Sequence, residues 1–410
     1  MTSDWPAHEY ETRPWRQSVR AGTRADRTLG EVVVALPPMI AESSWEPSPA
    51  SRPALDAARH AVIALDAEYG SRLGSLGRLL LRTEAVSSSK IEMYSLSSQC
   101  EDENASLEDV ARATIGIRAN SSATSMVAAA EAMTGLVDSA GRTGRIDESA
   151  LLAAHGVLMA DDSVDARYAG AYRPMQNWIG GSDHSPRDAV HVPPPPELVP
   201  ALMADLVRFS NRSDLDPIVQ AAIAHAQFES VHPFTDGNGR IGRALITAIL
   251  RRRGLTRTTV VPVASALVAD RERYFTLVNG CRDGAVGPFV DELARACTVA
   301  ALESARTAAV LETFPATWRA AVRPRAGSAA ALLLDGLLDR PIITTARAVE
   351  LTGRAPSSVG EAIARLVAVG VLTPLTARKR DQAWVAVDVL DELADLEDRI
   401  GAAMLAARAG

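Results

Sequence analysis

His232-Pro-Phe-Thr-Asp-Gly-Asn-Gly-Arg-Ile-Gly-Arg243 places a titratable base, a carboxylate, three glycines, an asparagine and two arginines within twelve residues. Its flanks decide what kind of segment it is. Upstream, Asp216-Pro217 reads as an N-cap followed by proline at the first helical position, and Ile218, Ala222, Phe228 and Val231 continue with helical spacing. Downstream, Arg240 to Arg253 reads as a second helix closed by Gly254, with Arg251, Arg252 and Arg253 at the end where cations are favoured. The twelve residues are therefore predicted to form a loop between two helices, ending on a helix N-terminus. Asp-Gly-Asn-Gly could be a hairpin turn, but the flanks are helical rather than alternating.

The arginines then become informative. Arg240 and Arg243 fall in the first turn of the second helix, three apart and on one face. There they oppose the macrodipole and each other, a mismatch of about 0.3–1 kcal/mol apiece. A bound anion removes that mismatch. Gly237, Gly239 and Gly242 let backbone N–H groups turn inward, and a helix N-terminus is itself a phosphate site. Asp236 beside phosphate is repulsive unless a divalent cation bridges them, which is how Mg²⁺ is usually held. His232 stands at the other lip, where a neutral imidazole can take a proton from a hydroxyl. A Ca²⁺ loop needs more acidic ligands than Asp236 supplies. His225, Glu229 and His232 share a helix, yet His225 reads better as a buried, hydrogen-bonded histidine than as a metal ligand.

Residues 232–243 resemble the signature of the Fic family, His-Pro-Phe-x-Asp/Glu-Gly-Asn-Gly-Arg-x-x-Arg, at every defined position. The resemblance implies a mainly α Fic-type helical bundle with a small β-hairpin flap. It also implies an ATP- and Mg²⁺-dependent nucleotidyltransferase that moves AMP onto a Ser, Thr or Tyr hydroxyl of a target protein or of the chain itself. Carried over, His232 is the general base and Asp236 the metal ligand. Gly237, Asn238 and Gly239 cradle the α-phosphate. Arg240 holds the β-phosphate and Arg243 the γ-phosphate. Phe234 packs the loop into the core.

Two further stretches extend the resemblance. Arg167-Tyr-Ala-Gly-Ala-Tyr-Arg173, Asn177-Trp-Ile-Gly-Gly181 and His191-Val-Pro-Pro-Pro-Pro196 are similar to the family's Gly-x-x-Arg, flap and Pro-Pro segments. Trp178, Ile179, Gly180 and Gly181 are thereby implied as a target-docking edge, since an exposed hairpin edge can pair with an extended segment. Thr83 to Met93 resembles the family's N-terminal inhibitory helix, with Ser88 and Glu92 at its spacing. There Glu92 would pair with Arg243 and displace the γ-phosphate. Met93 departs from the family's Gly or Asn at the next position.

Composition agrees with a soluble, cytoplasmic, helix-rich protein. There is no long apolar run, and Trp5, Arg13, Trp15 and Arg16 do not suit a signal peptide. Cys100, Cys281 and Cys297 are odd in number and far apart, so disulfides and zinc are not expected. A net charge of −7 argues against a general nucleic-acid binder. The sequence suggests an N-terminal region over 1–106 with one β-like run at Glu31–Leu36, a catalytic core over 107–312, a linker over 313–326, and a last domain over 327–410. That last part reads as helices from Ala329, Thr344 and Pro356, then two strands around Thr376–Gln382. It resembles the winged helix-turn-helix appended to many Fic proteins. Arg354 and Arg365 are offset by Glu361, and Arg378-Lys379-Arg380 form a basic wing tip. DNA binding and protein contact, including a homodimer, both remain open. The rival functional readings are a nucleotide-sensing transcriptional regulator and a transferase of another phosphate-containing group.

Overall fold

The computed structural model describes residues 5–17, 21–96, 107–116, 120–375 and 382–409, and it is mainly helical. The chain divides into two compact units that interleave along the sequence. The first comprises Met1–Arg59, Glu131–Leu255 and Asp270–Arg295; the second comprises His60–Ala130, Thr256–Ala269 and Ala296–Gly410. Among the described residues, no helix is long and apolar enough to cross a membrane.

The first unit is built around the Pro217–Val231 helix. Every residue from Ile218 to Val231 is buried, so this helix is a core element with no solvent face. Its start is fixed as the sequence predicts. Asp216 Oδ1 accepts the N–H groups of Ile218 (2.8 Å) and Val219 (3.3 Å), Pro217 takes the first turn, and Arg59 pairs with Asp216. It packs against Val199–Ser210 on one side and Asn238–Arg252 on the other. The Asn238–Arg252 helix ends at Gly254, whose φ of +73° glycine adopts freely. Its terminal cations are used for tertiary bonds. Arg252 and Arg253 donate to the carbonyls of Arg212 (2.8 Å) and Ser213 (3.0 Å), and Arg253 also bonds Gln220 Oε1 at 2.7 Å.

The expected strand at Glu31–Leu36 is present and has a partner that sequence reading missed. Glu9–Pro14 pairs with it antiparallel, from Glu9 opposite Leu36 to Pro14 opposite Glu31. The partner strand is polar and almost wholly exposed, so it carries no hydrophobic alternation to read. The pairing is anchored from the other side, where Val32 and Val34 pack with Val192 and Trp178. Ala35 N–H donates to the Val192 carbonyl at 2.9 Å, which lays residue 192 beside this strand pair.

In the second unit, Leu76–Leu96, Val263–Val268 and Val387–Ala409 pack together. Glu84 Oε2 accepts the Ala264 N–H at 2.7 Å, at the start of the short middle helix, and Lys90 pairs with Glu397. Further along, helices Ala329–Gly336, Thr345–Thr352 and Pro356–Ala368 accompany a three-stranded antiparallel sheet. Ala383–Val385 is its central strand, between Ile342–Thr344 and Thr373–Pro374. Arg378, Lys379 and Arg380 lie outside the described residues.

One expectation needs correcting. Residues 313–326, read as a linker, contain a helix at Phe314–Val322. Pro315 sits in its first turn, where a missing N–H costs nothing, so this proline marks a helix start rather than a break. Trp318 is 1% exposed and donates Nε1–H to Asp388 Oδ2 at 2.7 Å. Trp318→Ala is expected to lower unfolding free energy by about 3–5 kcal/mol through the cavity it leaves. Trp318→Phe should cost less but still measurably, because it leaves Asp388 without that donor. Urea titrations of the two variants check this; equal midpoints to wild type would show that the helix is only loosely attached.

Candidate functional site

The segment from His232 to Asn238 joins two buried helices through two left-handed residues. His232 closes the first helix with φ 47° and ψ 62°, its N–H bonded to the Phe228 carbonyl at 2.8 Å. A non-glycine residue there costs about 1–2 kcal/mol, so the surroundings must hold it. They do so on both sides. Its carbonyl accepts from Arg173 Nε at 2.9 Å. Its ring Nδ1 lies 3.0 Å from Asn177 Nδ2 and 3.2 Å from Asn238 Nδ2.

Arg173 is buried and bonds backbone oxygens. Besides His232 it reaches the carbonyls of Met175 (3.1 Å), Pro194 (2.5 Å) and Val231 (3.4 Å), while its own N–H donates to Pro233 O at 2.9 Å. Burial pulls its pKa down to about 10, which still leaves it charged at neutral pH. One guanidinium thus ties the end of the core helix to both limbs of the segment 175–194.

Phe234 is completely buried, stacked on His155 with ring centroids 3.8 Å apart and planes 3° from parallel. Asn238 closes the turn over it: its Oδ1 accepts the Phe234 N–H (2.8 Å) and its Nδ2 donates to the Phe234 carbonyl (2.9 Å). Gly237 precedes the next helix at φ +75°. A Cβ there would sit 2.8 Å from Leu158 Cδ2, so the Glu148–Met159 helix forms a tight floor under the glycine. The helix begins two residues earlier than expected, so Arg240 lies in its first turn and Arg243 in its second, and the two differ in setting. Arg240 donates to Asp236 Oδ2 at 3.2 Å, and Asp236 is 56% exposed. Arg243 is 1% exposed, with Nη1 3.4 Å from the Tyr274 hydroxyl. That hydroxyl also lies 2.9 Å from His225 Nε2, which puts both Tyr274 and His225 in the core.

Among the described residues, no group of three or more His, Cys, Asp or Glu is placed to hold a metal. Asp236 alone, exposed beside a helix N-terminus, does fit the single carboxylate that accompanies phosphate-carried Mg²⁺.

Residues 178–191 form the expected hairpin. Ile179 N–H donates to His191 O (2.8 Å) and Val190 N–H to Ile179 O (2.8 Å). Gly180 and Gly181 have φ of 72° and 76°, and a Cβ on Gly181 would lie 2.4 Å from the Arg187 carbonyl. Trp178 packs edge-on to Trp15 and donates to Ser182 O at 2.7 Å. The hairpin tip is tied to a short N-terminal turn: Asp26 accepts from Thr23 Oγ1 (2.6 Å) and Ser185 Oγ (2.8 Å). The Thr23 hydroxyl, then Ser182 and Ser185, hold the Asp26 carboxyl well below the usual carboxylate range.

Ser88 and Glu92 lie one turn apart on the Leu76–Leu96 helix, in the second unit. Ser88 is buried and Glu92 half-buried. Cys281 and Cys297 are buried, while Cys100 lies outside the described residues. Sequence reading did not assign roles to His155, Arg173 or Asn177. Arg173 and Asn177 carried a faint signal, since each sits in a quoted motif stretch; His155 carried none.

The Fic/DOC family model matches residues 145–250. The chain carries a Fic domain. Over 104 residues it is 36% identical to a probable protein adenylyltransferase of Aquifex aeolicus, covering 25% of this chain and 30% of that protein. Over 133 residues it is 37% identical to the protein adenylyltransferase Fic of Nematostella vectensis, covering 32% of this chain and 27% of that protein. The match thus spans less than a third of either relative's length. A Fic family protein from Desulfovibrio desulfuricans shares the fold, with a TM-score of 0.50 at 22% identity over 83% of this chain and 98% of that one.

The electrostatics of the Fic domain favour neutral imidazoles. Burial first, then Arg173 and Arg282, lowers the His232 pKa to about 3. Burial lowers that of His225 to about 3 and that of His155 to about 4. A histidine lowered in this way favours folding fully above its unfolded value of about 6.5 and loses that contribution as pH falls toward the folded value. Stability should therefore decline from pH 6.5 downward, and the His232 ring signals in NMR should stay unchanged from pH 8 to 5. A titration midpoint near 6.5 would contradict this reading of the site.

Proposed function

We propose that the chain is a protein adenylyltransferase that transfers AMP from ATP to a hydroxyl of a target protein or of itself. The observation that supports it best is the pairing of a neutral, rigidly held His232 with a glycine-lined helix N-terminus bearing Asp236 and Arg240 across a five-residue loop. The target hydroxyl oxygen bonds to the α-phosphorus, the bond to pyrophosphate breaks, and the hydroxyl proton passes to the imidazole of His232. N–H groups of Gly237, Asn238 and Gly239 and the Arg240 and Arg243 cations face the phosphates, so stabilisation is largely preorganised electrostatics. Asp236 would hold a Mg²⁺ carried in with the phosphates, which would supply charge neutralisation there. The limb Trp178–Gly181, half-buried at Trp178 and Ile179 and exposed at Gly180 and Gly181, is the target-docking edge. Among the described residues, the backbone groups of Ile179 bond inward to Val190 and His191, which leaves those of its neighbours to face the other way.

In this reading Glu92 restrains the enzyme by pairing with Arg243, with Ser88 one turn before it. The helix–strand–helix–helix–strand–strand order over 329–385 supports a winged helix. Its use for protein contact is favoured over DNA. Arg354 donates to Gly327 O (2.7 Å), and Arg365 donates to the carbonyls of Val322 and Arg323, so neither guanidinium is wholly available to phosphate. The exposed face of Pro356–Ala368 otherwise offers Ser357, Ser358, Gly360, Glu361 and Ala364.

ATP labelled on the α-phosphate tests the activity directly, because a γ-phosphate transferase would label protein only from the other position. His232→Ala should keep ATP binding and lower AMP incorporation by about 10²–10⁴-fold. Incorporation at the wild-type rate would remove His232 from the mechanism. Glu92→Gly should raise incorporation, and adding Arg243→Ala should abolish the gain, since both changes act through one guanidinium. An unchanged rate in Glu92→Gly would mean that control lies elsewhere.

A further inference from the structure

His155 is completely buried beneath the loop and takes no part in the chemistry above. Its ring nitrogens face two different backbone groups. Nδ1 accepts the Gly170 N–H at 3.0 Å, and Nε2 lies 3.2 Å from the Asp236 carbonyl, to which it donates. An amide N–H can only donate and a carbonyl can only accept, so the pair demands a neutral ring with its proton on Nε2. The face of the same ring lies flat on Phe234.

The two bonded groups belong to the two halves of the site. Gly170 opens the arch that continues to Arg173, and Arg173 holds the backbone of His232. Asp236 is the carboxylate at the far end of the loop. Gly170 has a φ of +75°, and a Cβ there would lie 3.3 Å from the Leu152 carbonyl and 3.5 Å from Gly156 Cα, so it packs closely on the floor helix. An imidazole has an acceptor and a donor on opposite edges of one rigid plane, so it can bond both halves at once.

We propose that His155 is a positioning residue that fixes Asp236 relative to His232. It rests on the adenylyltransferase reading, with Asp236 as the magnesium ligand. His155→Phe preserves the ring over Phe234 and removes both hydrogen bonds. In the full-length protein, with fold checked by circular dichroism, it should lower kcat for AMP incorporation by about 10–100-fold while changing the KM for ATP much less. Calorimetric titration should also show that ATP binding by the variant needs several-fold more magnesium. His155→Gln, which retains an amide donor and acceptor, should fall between the two.

Wild-type kcat and wild-type magnesium dependence in His155→Phe would overturn the proposal. Should that variant fail to fold, His155→Met, which fills a similar volume and also lacks both hydrogen bonds, takes its place, and wild-type values there would overturn it equally. A wild-type protein that binds magnesium–ATP but transfers no AMP would refute the adenylyltransferase reading instead, and the calorimetric shift would still judge His155.

Discussion

The carbonyl of His232 accepts a hydrogen bond from a buried guanidinium, and the site depends on that contact. The chain must leave a wholly buried helix, reverse, and enter another within seven residues. It does this with one left-handed residue that is not glycine and one that is. The first is costly unless held, and Arg173 holds it by bonding the oxygens around the reversal. The same guanidinium bonds Met175 and Pro194 at the base of the flap, so the reversal and the flap share one anchor. Phe234 then seats the loop on His155, and Asn238 closes it.

That arrangement leaves charged and neutral groups in different places. The imidazoles of His155, His225 and His232 are all held neutral by burial, in a setting that also contains the cations of Arg173, Arg243 and Arg282. The carboxylate nearest the loop, Asp236, is exposed and paired with Arg240. A polyanion arriving at the helix N-terminus would meet positive charge from the protein interior and one negative group at the rim. An imidazole that remains unprotonated beside so many cations keeps its ring lone pair at neutral pH, where an ordinary histidine would be partly charged at the acid end of that range, but the same cations make it a weaker proton acceptor.

Legibility in the sequence followed the range of the interactions. Asp216-Pro217 was readable because a cap is made with residues two and three positions away. The motif was readable as a loop between helices because glycine and helical periodicity act locally. Glu9–Pro14 was not, because an exposed polar strand acquires its identity from a partner about twenty residues on. The helix at 314–322 was misread because Pro315 looks the same whether it starts a helix or interrupts one. His155 was invisible for a different reason. Its partners are backbone atoms of Gly170 and Asp236, and no side-chain identity advertises them. The placement of Arg243 in the interior was likewise unreadable, since arginine is rarely so buried.

The flap has one further property. Its tip is fastened through Asp26, a carboxylate whose bonds to Thr23 and Ser185 hold it ionised well below the ordinary carboxylate range. A hairpin pinned at its tip and, through Arg173, at its root has little freedom to swing as a lid. In the proposed reading it would serve an incoming extended chain as a fixed rail. Selectivity among targets would then reside in the shape an extended segment can take against a rigid edge, and mild acidification would leave that edge where it is.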